Sequence, residues 1–541
     1  MPYFKVQRQR FIPTFARNSS VRTGGTTART IRDCYITDTN YPIEVYADND
    51  INLFNITLGL NGLQAVKMNG ETIGFDNSNT TRTWNINNLT VNPEGDLDVR
   101  STNNTGTATL KIVGNAELAL NEGKNIIVGG ADYNKRGALS ATGVTFTALD
   151  TSLGWGGIYF SDYSEDGSSL IDSCIIEYAD DGIYCASASP TITNSTIHNN
   201  EDGIFADSNS EPMITGNTFT GNGRPISIYN HRIDENIYGN TYSGNTKNYI
   251  EVTVISLTEN RTYTWKKDGA PYVAAQSISV QRYNNAQQFT TLEIESGTTV
   301  MFASAKYLYI GSSNSSSYIG ALSATGVTFT ALDTSAGWSG IWFQNFTEDG
   351  SSLIDSCIIE YATDGIYCQS ASPTITNSTI RSNTDGIHAD GGSQPTITGN
   401  TFRNNSVGIK VYKSDNGYSI GGIVANTNRF KNNTSYALYN YDSGDSLNAT
   451  YIHWGSKSGP YHATNLHGKG DAVGGLVDFS NWIGLPAVDS LAVSASLFGP
   501  VLIWPAMDTS AIVKYYIFRS ADSTTSELHD STVSTELTYT D

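Results

Sequence analysis

Along most of the chain, single apolar positions alternate with Thr, Ser and Asn in short segments such as Thr191-Ile192-Thr193 and Ile183-Tyr184-Cys185, set apart by Gly, Asn or Asp. A period of two predicts strands with one buried face, and the residues between them are turn formers. On this phase Ile192, Ile197 and Ile204 point inward while Thr191 and Thr193 point outward. The pattern itself repeats. SSLIDSCI at Ser168, PTITNSTI at Pro190 and PMITGNTF at Pro212 step by 22 residues, and the same rhythm returns at Ser351, Pro373 and Pro395. Asp-Gly-Ile at Asp181 and Asp202, and again at Asp364 and Asp385, steps by 21.

A coarser repeat encloses the fine one. GALSATGVTFTALDTS at Gly137 recurs letter for letter at Gly320, 183 residues on, and EDGSSLIDSCIIEYA at Glu165 recurs at Glu348. The identity records the duplication of a whole module. Strand-sized segments with Gly, Asn and Asp corners every 21 to 22 residues predict a β-solenoid, because one coil cannot bury its own inner face and must stack on the next. Corner asparagines are expected to ladder with their equivalents one coil away. Leucine-rich repeats share the period but require the L-x-x-L-x-L-x-x-N rhythm and helical returns, neither of which is present. The expected fold is all-β: a right-handed parallel β-helix built from two duplicated modules, followed by an incomplete β-sandwich.

The strings TTLEIESGTTVMFASAKYLYIG from Thr290, GALSATGVTFTAL, GWSGIWF, SSLIDSCIIEYA and the PTITNSTI repeats resemble the secreted right-handed parallel β-helix proteins with the pectin-lyase-like fold. The resemblance covers residues 84–484 and implies the fold; for activity it implies little, since the architecture serves lyases, adhesins and fibres alike. The expected organisation is an N-terminal segment with the first coils (1–83), module one (84–256), module two (257–422), closing coils and cap (423–486) and a partial fibronectin type III-like domain (487–541). Asp33-Cys34 echoes Ser173-Cys174, which places coils ahead of the modules. HWGSKSGPYH at His453 and GDAVGGLVDFSNWIGLP at Gly470 resemble the closing segment of such β-helices. VLIWPAMDTSAIVKYYIFRS at Val501 resembles two strands of a fibronectin type III module, with Trp504 as the core tryptophan and Tyr516 and Phe518 on the next strand. About two strands are expected to be lacking, leaving an open edge.

With 541 residues, one compact core is excluded, and a linear core resolves the difficulty. The net charge is −20, with 16% charged residues, so the polar remainder is mostly uncharged. An acidic chain without basic clusters disfavours nucleic acid and, unless calcium bridges the two, polyuronates. No apolar run is long enough to span a membrane. The N-terminus lacks the apolar core of a secretory leader, so a leader already removed, or a longer parent chain, is expected.

Candidate chemistry is sparse. Pectin hydrolases of this fold carry Asn-Thr-Asp, Asp-Asp, Gly-His-Gly and Arg-Ile-Lys in order. Here Asn383-Thr384-Asp385 and Asp180-Asp181 occur in the wrong order and Gly408-Ile409-Lys410 is the nearest basic string; Asn200-Glu201-Asp202 at the equivalent corner makes the Asp a repeated turn residue. No outward base is expected to recur with an acidic cluster, so no catalytic residue is assigned. No cofactor is expected either; calcium is conceivable but lacks a ligand set. His453, His462, His467, Asp471 and Asp478 are irregularly spaced and predict no metal site. Cys174 and Cys185, like Cys357 and Cys368, are half a coil apart and are expected as buried free thiols. Trp155, Tyr159, Trp338 and Trp342 recur in both modules and are candidates for stacking on sugar rings, with half of them expected to face the core.

Two function classes follow. The first is an extracellular or cell-surface structural rod that builds or decorates a fibre or surface layer. Its partners would be copies of itself, head to tail, or other surface proteins, with Tyr3-Phe4-Lys5-Val6 as a conceivable donor strand for the open edge. The second is a carbohydrate-binding or polysaccharide-cleaving protein. A viral or phage fibre shares the physics of the first.

Overall fold

The computed structural model describes residues 21–22, 29–483 and the strand backbones beyond 491, excepting 37–41, 48–49, 59–60, 62–63, 70–71, 74–78, 103–105, 131–134, 230–235, 254–255, 283–287, 413–427, 442–443 and 445. The chain divides into two compact units, Met1–Ile255 with Tyr263–Gln276, and Ser256–Thr262 with Ser277–Asp541. The division falls near the module junction read from the sequence.

Each coil of the first unit contributes one short strand to each of three parallel sheets. In one coil these are Thr191–Thr193, Thr196–His198 and Asp202–Ala206, and they pair one coil on with Met213–Thr215, Thr218–Thr220 and Arg224–Ile228. Stacking begins ahead of the duplicated modules, as Asp33-Cys34 suggested: Arg29–Ile36 pairs in parallel with Ile51–Leu58. The second unit repeats the plan, with Leu353–Asp355, Ile358–Glu360 and Asp364–Gln369 pairing with Thr374–Thr376, Thr379–Arg381 and Asp385–Asp390. Among the described residues helix is confined to two three-residue 3-10 turns, Asp166–Ser168 and Asp349–Ser351. Among the described residues no helix is long and apolar enough to cross a membrane.

Ile192, Ile197 and Ile204 are fully buried while Thr191 and Thr193 lie on the outer side, as the alternation required. All five cysteines are free thiols and four are buried. Burial pushes the Cys174 and Cys357 thiols up to about 11, so they stay protonated and inert.

The corners explain the asparagines. A single residue in the left-handed region turns the chain, at Ser173, Asn194, Gly216 and Gly239 on one corner and at Tyr178, Asn199, Gly221 and Gly244 on the next. The residue or pair after each bend leaves a backbone N–H with no sheet partner, and an inward side chain from the following coil accepts it. Thus Ala179 N donates to Asn200 Oδ1 (2.9 Å), Asn200 N to Asn222 Oδ1 (3.0 Å) and Asn222 N to Asn245 Oδ1 (2.9 Å). The second unit runs the same ladder through Asn383, Asn405 and Asn433, where Asp471 accepts both Asn433 N and Asn433 Nδ2 at 2.7 Å. A carboxylate only accepts, so it ends the ladder.

Trp454 is buried and stacks on Phe430 at 5.2 Å, and Val477–Asp478 pairs with Leu447–Asn448. Beyond 491 the pairing turns antiparallel: Ala492–Ser496 with Gly499–Ile503, the latter with Thr538–Thr540, and Lys514–Arg519 with Glu527–Val533. Trp504 and the Tyr3-to-Val6 segment lie outside the described residues.

Candidate functional site

In each unit one row of strands carries a pair of carboxylates on successive coils. In the first, Asp181 lies opposite Asp202, and Asp202 opposite Arg224, on successive coils. Arg224 grips Asp202 in bidentate fashion, Nε to Oδ1 at 2.6 Å and Nη2 to Oδ2 at 2.5 Å, and donates Nη1 to Glu251 Oε1 at 3.1 Å. Asp181 forms no ion pair among the described residues. Burial, then the charges of Asp202 and Asp180, push its carboxyl up to about 6.

The second unit carries the duplicate carboxylates, Asp364 opposite Asp385, but a different cation. The position of Arg224 is taken by Val407, and Lys410 supplies the charge, its Nζ donating to Asp385 Oδ2 at 2.8 Å. Burial alone would lower the Lys410 ammonium, yet the hydrogen bond and charge of Asp385 hold it above its usual value. His388, opposite both Tyr367 and Lys410, brings Nδ1 to 3.5 Å from Asp364 Oδ1, and its Nε2 is buried without a hydrogen-bond partner.

No single base recurs with the acidic pairs, since Val407 stands at the place of Arg224, yet each unit supplies an outward cation from 22 or 25 positions away in sequence, which one coil of the helix turns into a neighbour. One expectation is corrected. Asp202 and Asp385 open the strands Asp202–Ala206 and Asp385–Asp390 rather than forming turns. Asn383, from the string that resembles a hydrolase motif, is a buried rung of the corner ladder.

Asp364, Asp385 and His388 form the one group among the described residues whose ligand atoms lie mutually within 4.8 Å. Ca²⁺ takes six to eight oxygen ligands. Here an imidazole and an ammonium already stand against the two carboxylates, so the donor set does not fit that ion. The closing-segment histidines do not join such a group: His453 Nδ1 accepts from Gly455 N at 3.2 Å, His462 Nδ1 meets Thr464 Oγ1 at 2.9 Å and Asp478 accepts from Ser480 N at 3.0 Å.

The four candidate sugar-stacking residues divide. Trp155 and Trp338 are 1% and 2% exposed, and each donates its indole N–H to a backbone carbonyl of the next coil, Glu177 O at 2.8 Å and Glu360 O at 2.9 Å. Neither presents a face to a ligand. Tyr159 and Trp342 do point outward, within rows of rings the sequence reading missed. Tyr159 stacks on Tyr184 at 4.9 Å, and Tyr184 on Phe205 at 4.9 Å. Trp342 meets Tyr367 at 4.8 Å, Tyr367 meets His388 at 4.7 Å, and Tyr412 stacks on Tyr441 at 4.8 Å. Coil spacing, about 4.8 Å, equals the stacking distance of aromatic rings, so mid-row rings cover one another. The signal was available in the 21-to-22-residue step, applied to outward positions as well as inward ones.

The family model for the right handed beta helix region matches residues 125–286 and 307–458, more than half of the chain. No curated protein matches the sequence. The matched spans cover the duplicated coils, the corner ladders and both carboxylate rows, and the chain belongs to the right-handed β-helix family.

Proposed function

We propose that the protein is an extracellular or cell-surface structural protein, a β-helix scaffold that builds or decorates a surface assembly. One observation carries the reading: in each unit a cation from the next coil holds one carboxylate of the outward pair, and the outward rings cover one another. Arg224 holds Asp202, Lys410 holds Asp385, and the ring faces of Tyr159, Tyr184 and Phe205 lie against each other. A hydrolase needs one carboxyl able to donate a proton and a second able to attack or to activate water. A carboxylate held by a guanidinium or ammonium is biased toward the ionised form and away from the acid role. The acidic, hydroxyl-rich composition suits exposure to solvent without nonspecific adhesion to polyanions. Self-association and contact with other surface proteins belong to the same reading.

The test incubates the full chain with a panel of acidic and neutral polysaccharides, with and without calcium, following reducing ends and unsaturated products, while electron microscopy and surface labelling of source cells report assembly and location. The expected result is no turnover, with surface label or ordered assemblies. Clear turnover of any polysaccharide would overturn the proposal.

A further inference from the structure

The two modules are identical over long strings, yet they part just ahead of one of them. Before Gly137 the first module reads GADYNKR (130–136), with three charged residues; before Gly320 the second reads SSNSSSYI (312–319), with none and one residue more. In the second unit this segment walls a surface cleft of about 380 Å³. Ser279 and Tyr309 stand opposite each other on successive coils at its base, Ser312, Asn314 and Ser315 line the wall, and Gln344 closes it. No lining residue carries a charge.

The lining selects a chemistry. Hydroxyls and carboxamides both donate and accept, so they match a ligand that does the same at many points. An apolar ligand would strip water from these groups and leave them unpaired. Phosphates and uronates need cations, and the cleft has none. The volume is at the low end for small-ligand pockets, roughly 300–1,000 Å³, which suits one or two rings rather than a long chain. Tyr309 stacks one ring face on Tyr307 at 4.9 Å and meets Trp342 edge-on at 5.7 Å, which leaves its hydroxyl and at most one ring face to a sugar.

We infer that this cleft of the second unit binds a neutral saccharide of one or two residues, and that the first unit lacks the site. The inference goes beyond the scaffold reading and does not depend on it, since a scaffold and an enzyme could each carry such a subsite. The sister module supplies substitutions the coil tolerates: Ile127 stands where the second unit has Tyr309, each paired with the outward ring of the next coil, and Ser161 stands where it has Gln344.

Saturation-transfer NMR and calorimetry on the full chain test the proposal, with cellobiose, maltose, mannobiose and di-N-acetylchitobiose as neutral probes and digalacturonate and glucose 6-phosphate as charged ones. At least one neutral disaccharide is expected to bind with millimolar or tighter affinity, and the charged probes are not. The double variant Tyr309→Ile/Gln344→Ser should weaken binding at least tenfold. If its thermal unfolding shifts, Asn314→Ala decides, because only that residue's backbone N–H is held, by Ser312 Oγ at 3.1 Å. Failure of every neutral probe, equal binding of a charged one, or affinity unchanged in a folded variant overturns the proposal.

Discussion

At Asn222 a single side chain makes four hydrogen bonds: its Oδ1 accepts from Asn200 N (3.0 Å) and Asn200 Nδ2 (3.1 Å), and its Nδ2 donates to Ile197 O (2.9 Å) and Asn245 Oδ1 (3.0 Å). Truncation takes the partner from Asn200 and Ile197 on the preceding coil and from Asn245 on the following one, each stranded buried group costing about 1–3 kcal/mol. Asn222→Ala should therefore lose about 3 kcal/mol or more in denaturant unfolding, whereas loss of the exposed Asn209 side chain should cost under about 0.5 kcal/mol. Asp181 acts in the opposite sense. Its folded value near 6 lies above the ordinary carboxyl value of about 3.9, so its favourable contribution is full below about pH 4 and is lost as pH rises through 6. Asp181→Asn should then stabilise the protein at pH 8 by about 1 kcal/mol, after allowance for solvent screening of a partly exposed group, and leave it nearly unchanged at pH 4. Thermal unfolding at the two pH values reads the difference; a larger gain at pH 4 would contradict the argument.

The strands depend on two glycines in the outward rows. Gly157 and Gly340 have φ of +120° and +118°, and a Cβ there would lie 1.7 Å from Asp181 O and 1.6 Å from Asp364 O. In the first unit the register slips between Gly157 and Ile158, so that Gly157 faces Asp181 while Ile158 faces Ile183. This bulge is where the strand leaves the regular ladder, directly beneath the carboxylate row. Gly340→Ala should cost on the order of 3 kcal/mol or more, since it combines a forbidden backbone with a clash against main chain. Limited proteolysis should find new cleavage near 340–365, and a variant as resistant as the parent would refute the close approach.

Across the molecule, nearest-neighbour coils share the stability, so a bound ion would register as a shift of the whole transition. A structural Ca²⁺ present at a hundredfold its Kd would add about 2.7 kcal/mol. Because Lys410 already occupies the place of a cation beside Asp385, neither chelator nor added calcium should move the unfolding midpoint. Differential scanning calorimetry in each condition checks this, and a rise with calcium that Asp385→Asn abolishes would reverse it.

The fold was legible because a solenoid writes its geometry into period: the 22-residue step, the inward Ile192 and Ile197, and the corner asparagines follow from strand alternation and stacking alone. The N-terminal coils were legible for the same reason, from Cys34 onward. Chemistry on the outer face was not. Nothing local in the sequence distinguishes the buried Trp155 from the outward Tyr159, four positions on, because a bulge falls between them and breaks the alternation. Nor does spacing announce that Arg224 meets Asp202 while Lys410, at a different step, meets Asp385. Period fixes which coil follows which; the reach and direction of each long side chain, and hence every charge pair and ring contact on the surface, were decided only when the coils were stacked.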